Sequence, residues 1–152
     1  MGDVISGGCR CKQLRYEAKG APIFSAICHC KGCQSRTGGS TGFMFFLRSK
    51  SEFTGDFGGY RDPETSTPIH MIFCKNCGST IGARPGSYPE VQILLAAALD
   101  DVNCFEARFH MWVSEKLPWI GIDDTLPRFA EHPEWEALGG IPDFGAVDPM
   151  KT

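Results

Sequence analysis

Cysteine is the residue type whose spacing in this sequence most directly indicates chemistry. Seven of the eight cysteines fall into three short clusters, and Cys104 stands apart from them. The clusters are Cys9-x-Cys11, Cys28-x-Cys30-x-x-Cys33 and Cys74-x-x-Cys77. Thiolates this close in sequence can bind one metal ion at about 2.3 Å. A disulfide between such near neighbours would instead close a small, strained ring. The spacing therefore predicts metal binding.

Seven clustered thiols divide most simply into a set of four and a set of three. Zinc distinguishes these sets, because closed four-ligand sites are structural, whereas three protein ligands leave one position open for chemistry. The two separated pairs, Cys9/Cys11 and Cys74/Cys77, would form the closed site. The compact triplet Cys28, Cys30 and Cys33 would hold a second ion by itself.

The residues leave two other interpretations of the triplet open. Cys104 or His29 could complete a closed four-ligand site, although neighbouring side chains in an extended chain point to opposite faces, so His29 is expected to face away from the ligands. An iron–sulfur cluster is the other alternative. Its bacterial and plant-type cysteine spacings do not match those found here.

Length, charge and hydropathy exclude several classes of protein. The chain has 152 residues and a net charge of −3, without the basic excess that is typical of nucleic-acid-binding modules. Its longest strongly apolar run, Ile93 to Leu99, falls far short of the ~20 residues that cross a bilayer. The N-terminal residues lack a signal-peptide pattern, which favours a cytoplasmic location where disulfides are rare. We expect one domain over residues 1–138 and a loosely ordered tail over 139–152.

The hydrophobic pattern predicts a mainly β fold with few short helices. Alternation over Leu14–Ala18 indicates a half-buried strand. Further strands are predicted at Ile23–Cys28, Thr41–Leu47, Ile69–Phe73, Val91–Ala98 and Ala107–Val113, and a glycine-rich strand and turn at Phe53–Tyr60. A helical turn is expected at Lys31–Thr37 and an amphipathic helix at Phe129–Leu138. The strand ending at Cys28 and the turn after it would position the triplet.

Three segments together resemble the glutathione-dependent formaldehyde-activating family, which is similar in fold to the zinc-binding Mss4-like proteins and the centromere protein V domain. They are Gly8-Cys9-Arg10-Cys11, Cys28-His29-Cys30-Lys31-Gly32-Cys33-Gln34 and Phe73-Cys74-Lys75-Asn76-Cys77-Gly78-Ser79. A later segment, Asp123-Asp124-Thr125-Leu126-Pro127-Arg128-Phe129, is also similar to the family's C-terminal pattern. The resemblance covers about Gly7 to Phe129.

The resemblance implies a folded β-sheet, or β-tent, with two zinc ions. Cys9, Cys11, Cys74 and Cys77 would bind a structural zinc, and Cys28, Cys30 and Cys33 a catalytic zinc. Lys12 departs from the family, which usually has glycine there. If that position needs a left-handed backbone, lysine would cost roughly 1–2 kcal/mol.

The implied activity is that of a carbon–sulfur lyase, the reversible addition of the thiol glutathione to formaldehyde. The alternative is a non-enzymatic Mss4-like zinc module that binds a protein partner, and a third possibility is a redox sensor that releases zinc when the triplet is oxidised. A pure binding module needs only the four-cysteine site. The triplet therefore favours chemistry.

Other residues are weaker candidates for roles in such a site. Glutathione carries two carboxylates, and the cations nearest to the triplet in sequence are Lys31, Arg36 and Arg48. The histidines that could transfer a proton are His29, His70 and His110. Trp112 and Trp119 are expected to pack in the core, and Cys104 to be a buried thiol.

Overall fold

Short strands account for most of the regular structure in the computed structural model, which describes residues 4–62, 68–140 and 142–143. The strands are β1 (Val4–Gly8), β2 (Arg15–Lys19), β3 (Phe24–Cys28), β4 (Thr41–Leu47), β5 (Ser51–Thr54), β6 (Phe57–Arg61), β7 (Ile69–Cys74), β8 (Thr80–Pro85), β9 (Val91–Leu95) and β10 (His110–Met111). One α-helix, α1 (Lys31–Thr37), follows β3. Short 3-10 turns occupy Arg48–Lys50, Ala96–Ala98, Val102–Cys104, Val113–Glu115 and Trp135–Leu138. The mainly β class predicted from the sequence is confirmed.

These strands form two sheets. The smaller sheet has the order β1-β2-β5, and the larger has the order β10-β3-β4-β9-β8-β7-β6. All pairings between these strands are antiparallel except that of β10 with β3, where His110 lies opposite Ile27 and Met111 opposite Cys28. The parallel pairing brings a late segment of the chain beside the strand that ends at Cys28.

The alternation of side chains along β4 divides the interior into two apolar clusters. Met44 and Phe46 belong to a cluster with Tyr16 of the small sheet. Phe43 and Phe45 point to the opposite face and pack in a second cluster with Phe24 and other aromatic residues. The aromatic residues of this strand are therefore core residues.

The predicted helix at Phe129–Leu138 is wrong over most of its length. The N–H of Phe129 donates to the carbonyl of His110 at 3.0 Å, so this backbone pairs with β10 instead of closing a helical turn. Only Trp135–Leu138 forms a 3-10 turn. The predicted strand at Ala107–Val113 shortens to β10, and the strand from Val91 ends at Leu95.

Two strands have no counterpart in the sequence predictions. The residues of β1 include two glycines, and those of β8 include Gly82 and Pro85. Glycine and proline are both depleted in strands. Trp119, expected in the core, is 73% exposed.

None of the described helices is long and apolar enough to cross a membrane. The expected loose tail at 139–152 falls mainly on residues 141 and 144–152, which lie outside the described part of the chain.

Candidate metal centres

Four cysteines from two distant turns meet at one point of the structure. Cys9 and Cys11 lie in the turn between β1 and β2, and Cys74 and Cys77 lie where β7 turns into β8. Their four sulfur atoms lie within 4.8 Å of one another. The Sγ atoms of Cys9 and Cys11 are 3.5 Å apart, and those of Cys11 and Cys74 are 3.7 Å apart. The cluster connects the small sheet to the large one.

Both turns rely on a left-handed residue next to the cysteines. Lys12 has φ 66° and donates its N–H to the carbonyl of Cys9 at 3.0 Å. Gly78 has φ 77° and donates in the same way to the carbonyl of Cys74 at 2.8 Å. The left-handed conformation considered for Lys12 from the sequence is therefore present.

Ser79 connects the two turns and acts on one of the thiols. Its hydroxyl oxygen accepts the N–H of Arg10 at 3.2 Å. The same hydroxyl lies 3.2 Å from the sulfur of Cys77, and its hydrogen bond, together with those from the backbone of Ser79 and Cys11, lowers the pKa of that thiol to about 5. Four clustered sulfurs that include an acidic thiol are the soft donor set that zinc prefers. The residues present fit a closed metal site.

The second cluster is compact in sequence and lies at the junction of β3 and α1. Cys28 is the last residue of β3, Cys30 is the N-cap of the helix, and Cys33 lies in its first turn. The three sulfur atoms lie within 4.8 Å of one another. A strand that stops where a helix starts can direct all three thiols to one side.

Hydrogen bonds within the triplet give its thiols different pKa values. The sulfur of Cys30 accepts hydrogen bonds from the thiol of Cys28, from the thiol of Cys33 and from the backbone N–H of Cys33. These bonds lower the pKa of Cys30. The same interaction with Cys30 raises the pKa of Cys28. The cluster thus favours a thiolate at Cys30, and a thiolate is the form that binds metal.

No fourth donor joins this cluster among the described residues. His29 lies between two of the cysteines in sequence, but it is 2% exposed and its ring hydrogen-bonds away from them. Cys104 is half-buried and packs against the first apolar cluster. Neither of the residues that could have closed the site contributes to it.

The turn that carries the triplet is held by residues from far along the chain. The carbonyl of Met111 accepts the N–H of His29 at 3.0 Å. The carboxylate of Glu115 accepts the N–H of Lys31 at 2.7 Å, at the first residue of α1. The amide of Gln34 donates to the carbonyls of both His29 and Glu115. These contacts fix the backbone on both sides of Cys30.

A chain of hydrogen-bonded side chains extends from His29 through buried His110 to the partly exposed Asp124. Its Nε2 lies 2.9 Å from Nδ1 of His110, and Nε2 of His110 lies 2.8 Å from a carboxylate oxygen of Asp124. Burial, followed by the neighbouring charges of His110 and Lys116, lowers the pKa of His29. The hydrogen bond from His110 lowers the pKa of the Asp124 carboxyl. Two of the histidines considered as proton carriers are therefore joined to each other.

A cavity of about 710 Å³ lies beside α1 and reaches the four-cysteine turn. Arg36 and Thr37 of α1 line one part of it, and Cys9, Arg10 and Lys12 line another. Arg36 also forms an ion pair with Asp62. Of the three cations considered from the sequence, Arg36 contributes to this wall and Lys31 and Arg48 do not.

The remaining candidates are scattered. His70 lies on β7 with an exposed side chain, opposite Arg61. Trp112 has φ 57° and packs at the border of the second apolar cluster. The sequence analysis did not select Gln34, Glu115 or Asp124. Gln34 and Asp124 each had a signal, since both lie in segments that resemble the family, whereas Glu115 had none.

The fold and the two cysteine clusters define a mainly β protein with two candidate metal sites. A family model described as glutathione-dependent formaldehyde-activating enzyme matches residues 4–115, and the chain belongs to that family.

Solved structures support the fold. A crystal structure of a Rhodobacter sphaeroides protein has 20% sequence identity and a TM-score of 0.51, covering 67% of this chain and 96% of that one. At this identity the likeness shows the fold alone. A comparison with curated proteins finds no match.

Proposed function

We propose that this protein is a zinc-dependent carbon–sulfur lyase of the formaldehyde-activating type. It would catalyse the reversible addition of a thiol, glutathione, to formaldehyde or a related small carbonyl compound. Cys9, Cys11, Cys74 and Cys77 would hold a structural zinc, and Cys28, Cys30 and Cys33 a catalytic one. Membership of the family supports the reaction class.

The observation that carries the proposal is the three-cysteine cluster with no fourth protein donor in the described part of the chain. A site with three protein ligands keeps a position for a substrate atom, which a structural site does not need. The cavity beside α1 is lined by Cys9 of the four-cysteine cluster and by none of the three triplet cysteines, so it does not bear on access to the proposed open site.

The chemistry requires one new bond and one proton transfer. The thiol sulfur bonds to the carbonyl carbon, and the proton that leaves the sulfur ends on the former carbonyl oxygen. A zinc ion bound by the triplet would supply a soft Lewis acid that favours the thiolate form of an incoming thiol. Holding both reactants in one pocket contributes up to several kcal/mol through proximity.

The chain's own residues would hold the triplet in position and limit the access of water on one side of it. Cys30, whose pKa is lowered by hydrogen bonds from the thiols of Cys28 and Cys33, would supply a thiolate ligand. Glu115 and Gln34 hold the turn on either side of it. Cys30 and Cys33 pack against the second apolar cluster, whose aromatic residues limit the access of water on that side.

Metal content tests the division into two sites. Zinc analysis of the purified protein should give close to two ions per chain. Cys30→Ser should retain one ion and the fold, whereas Cys77→Ser should unfold the protein, because a structural zinc contributes folding free energy. Equal behaviour of the two variants in zinc content and circular dichroism would contradict the proposal.

Catalysis needs a separate measurement. The zinc-loaded protein should accelerate exchange between glutathione, formaldehyde and their adduct in NMR exchange spectra. Cys30→Ser is the matched control, since it keeps the four-cysteine site and should show only the rate in buffer. An unaccelerated rate with the fully loaded protein would instead favour the non-enzymatic binding module.

A further inference from the structure

We propose that Asp124 is a positioning residue for the three-cysteine site and acts on it through His110 and His29. The inference rests on the proposed function only in assuming that the triplet binds a metal ion. Asp124 lies beyond residues 4–115, which the family model matches.

The geometry is a continuous chain of hydrogen bonds from a loop to the metal-binding turn. The side chain of Asp124 is 39% exposed, whereas that of His110 is 4% exposed. The rings of His29 and His110 are stacked, with centroids 5.2 Å apart. His29 is therefore reached from the protein surface through a single buried ring.

The chemistry of Asp124 fixes the orientation of both rings. A carboxylate can only accept, so Nε2 of His110 carries the hydrogen in this contact. In the neutral ring Nδ1 is then an acceptor, and Nε2 of His29 must donate to it. One partly exposed carboxylate thus selects the tautomers of two buried histidines.

The effect on the site follows from the place of His29 between Cys28 and Cys30. Its N–H is bound by the carbonyl of Met111, and its own carbonyl accepts from the amide of Gln34. Fixing the ring as well leaves this residue little freedom to rotate, so the directions of the two flanking thiols are held. Asp124 itself is anchored, because its other carboxylate oxygen accepts the N–H of Leu126 at 3.0 Å.

Replacement of Asp124 by an isosteric amide tests the inference. The amide group introduced by Asp124→Asn can donate to Nε2 of His110, which favours the opposite tautomer of His110, so the hydrogen bond between the two rings must reverse or break. In this variant we expect the triplet's zinc to be lost to a chelator at 10–100-fold lower chelator concentration, roughly the range that outer-shell partners of metal sites contribute. The four-cysteine zinc should be retained as in the wild type.

Two further variants control this measurement. Asp123→Asn removes the adjacent exposed carboxylate and should change neither zinc. Asp124→Glu keeps a carboxylate and should recover part of the retention. Equal zinc retention in wild type and Asp124→Asn would overturn the inference, and so would loss of both ions together with a lower melting temperature, which would indicate a general structural role.

The wild-type protein supplies an independent measurement. Nitrogen-15 NMR of the histidine rings should show hydrogen on Nε2 of both His29 and His110. Hydrogen on Nδ1 of neutral His110 would overturn the inference without any variant. A wild-type triplet that holds no zinc would instead refute the proposed function, so the two failures are distinguishable.

Discussion

Lys12 adopts a backbone conformation that usually selects glycine. It is one of two non-glycine residues with positive φ in the described part of the chain. The turn requires this conformation, because the N–H of Lys12 closes on the carbonyl of Cys9 beside the candidate metal ligands. For a residue with a Cβ atom, the left-handed region costs about 1–2 kcal/mol.

Lys12→Gly should therefore stabilise the zinc-loaded protein. Relief of the strain outweighs the added freedom of glycine in the unfolded chain, and we expect a net gain of about 0.5–1 kcal/mol. Urea unfolding measures this change in the free energy of unfolding. Lys12→Ala is the matched control: it removes the charge, keeps the Cβ atom and should give no gain. Equal stabilisation by both variants would assign the effect to the charge.

The first turn of α1 depends on a residue outside the helix. The helix has seven residues, none of them fully buried, and such a short helix has little stability of its own. The carboxylate of Glu115 binds the N–H of Lys31, where a negative charge also interacts favourably with the helix dipole. The 3-10 turn at Val113–Glu115 thus completes the N-terminus of the helix.

Glu115→Ala should destabilise this element. We expect a loss of about 1 kcal/mol, comparable to the removal of a helix cap, and faster amide hydrogen exchange confined to α1. Glu115→Gln retains an acceptor oxygen and should lose less. Glu131→Ala removes another exposed carboxylate from the same region and serves as the control. Unchanged exchange in α1 after Glu115→Ala would contradict this assignment.

Local sequence patterns predicted the strands that bury one face in the core. They did not predict as well the strands that form mainly through hydrogen bonds to a neighbouring strand. Alternation over Leu14–Ala18 and the aromatic run at Thr41–Leu47 indicated β2 and β4 because each has a face buried in the core. Three of the five residues of strand β1 are serine or glycine, and β10 has only two residues. These strands form because a neighbour supplies hydrogen bonds, which the local sequence does not encode.

For the whole molecule, the two cysteine clusters have different mechanical positions. The four-cysteine cluster connects turns that belong to different sheets, whereas the three cysteines of the triplet lie within one short segment, Cys28 to Cys33. Loss of a metal ion from the four-cysteine cluster should separate the two sheets. Loss of a metal ion from the triplet should leave both sheets in place.

Stepwise chelation should separate these effects. A mild chelator is expected to remove one zinc without changing the far-ultraviolet circular dichroism. A strong chelator should remove the second and unfold the chain, because the binding free energy of a structural zinc is folding free energy. If the protein unfolded when the mild chelator removed one ion, the expected difference between the two clusters would be wrong.

The spacing of the cysteines was sufficient to predict the two groups that the structure brings together. It could not identify Glu115, which contacts Lys31, or Asp124, which is connected to His29 through His110, because both come from distant parts of the sequence. Their contacts depend on the parallel pairing of β10 with β3, a long-range feature with no local pattern.

This parallel pairing sets an order for synthesis on the ribosome. Once β8 has emerged, the nascent chain already holds both turns of the four-cysteine cluster, which can then close. The triplet emerges early but receives its support only when His110 to Asp124 follow. The triplet is therefore expected to lack these supporting contacts through most of translation. The three-cysteine site should be the last part of the molecule to form.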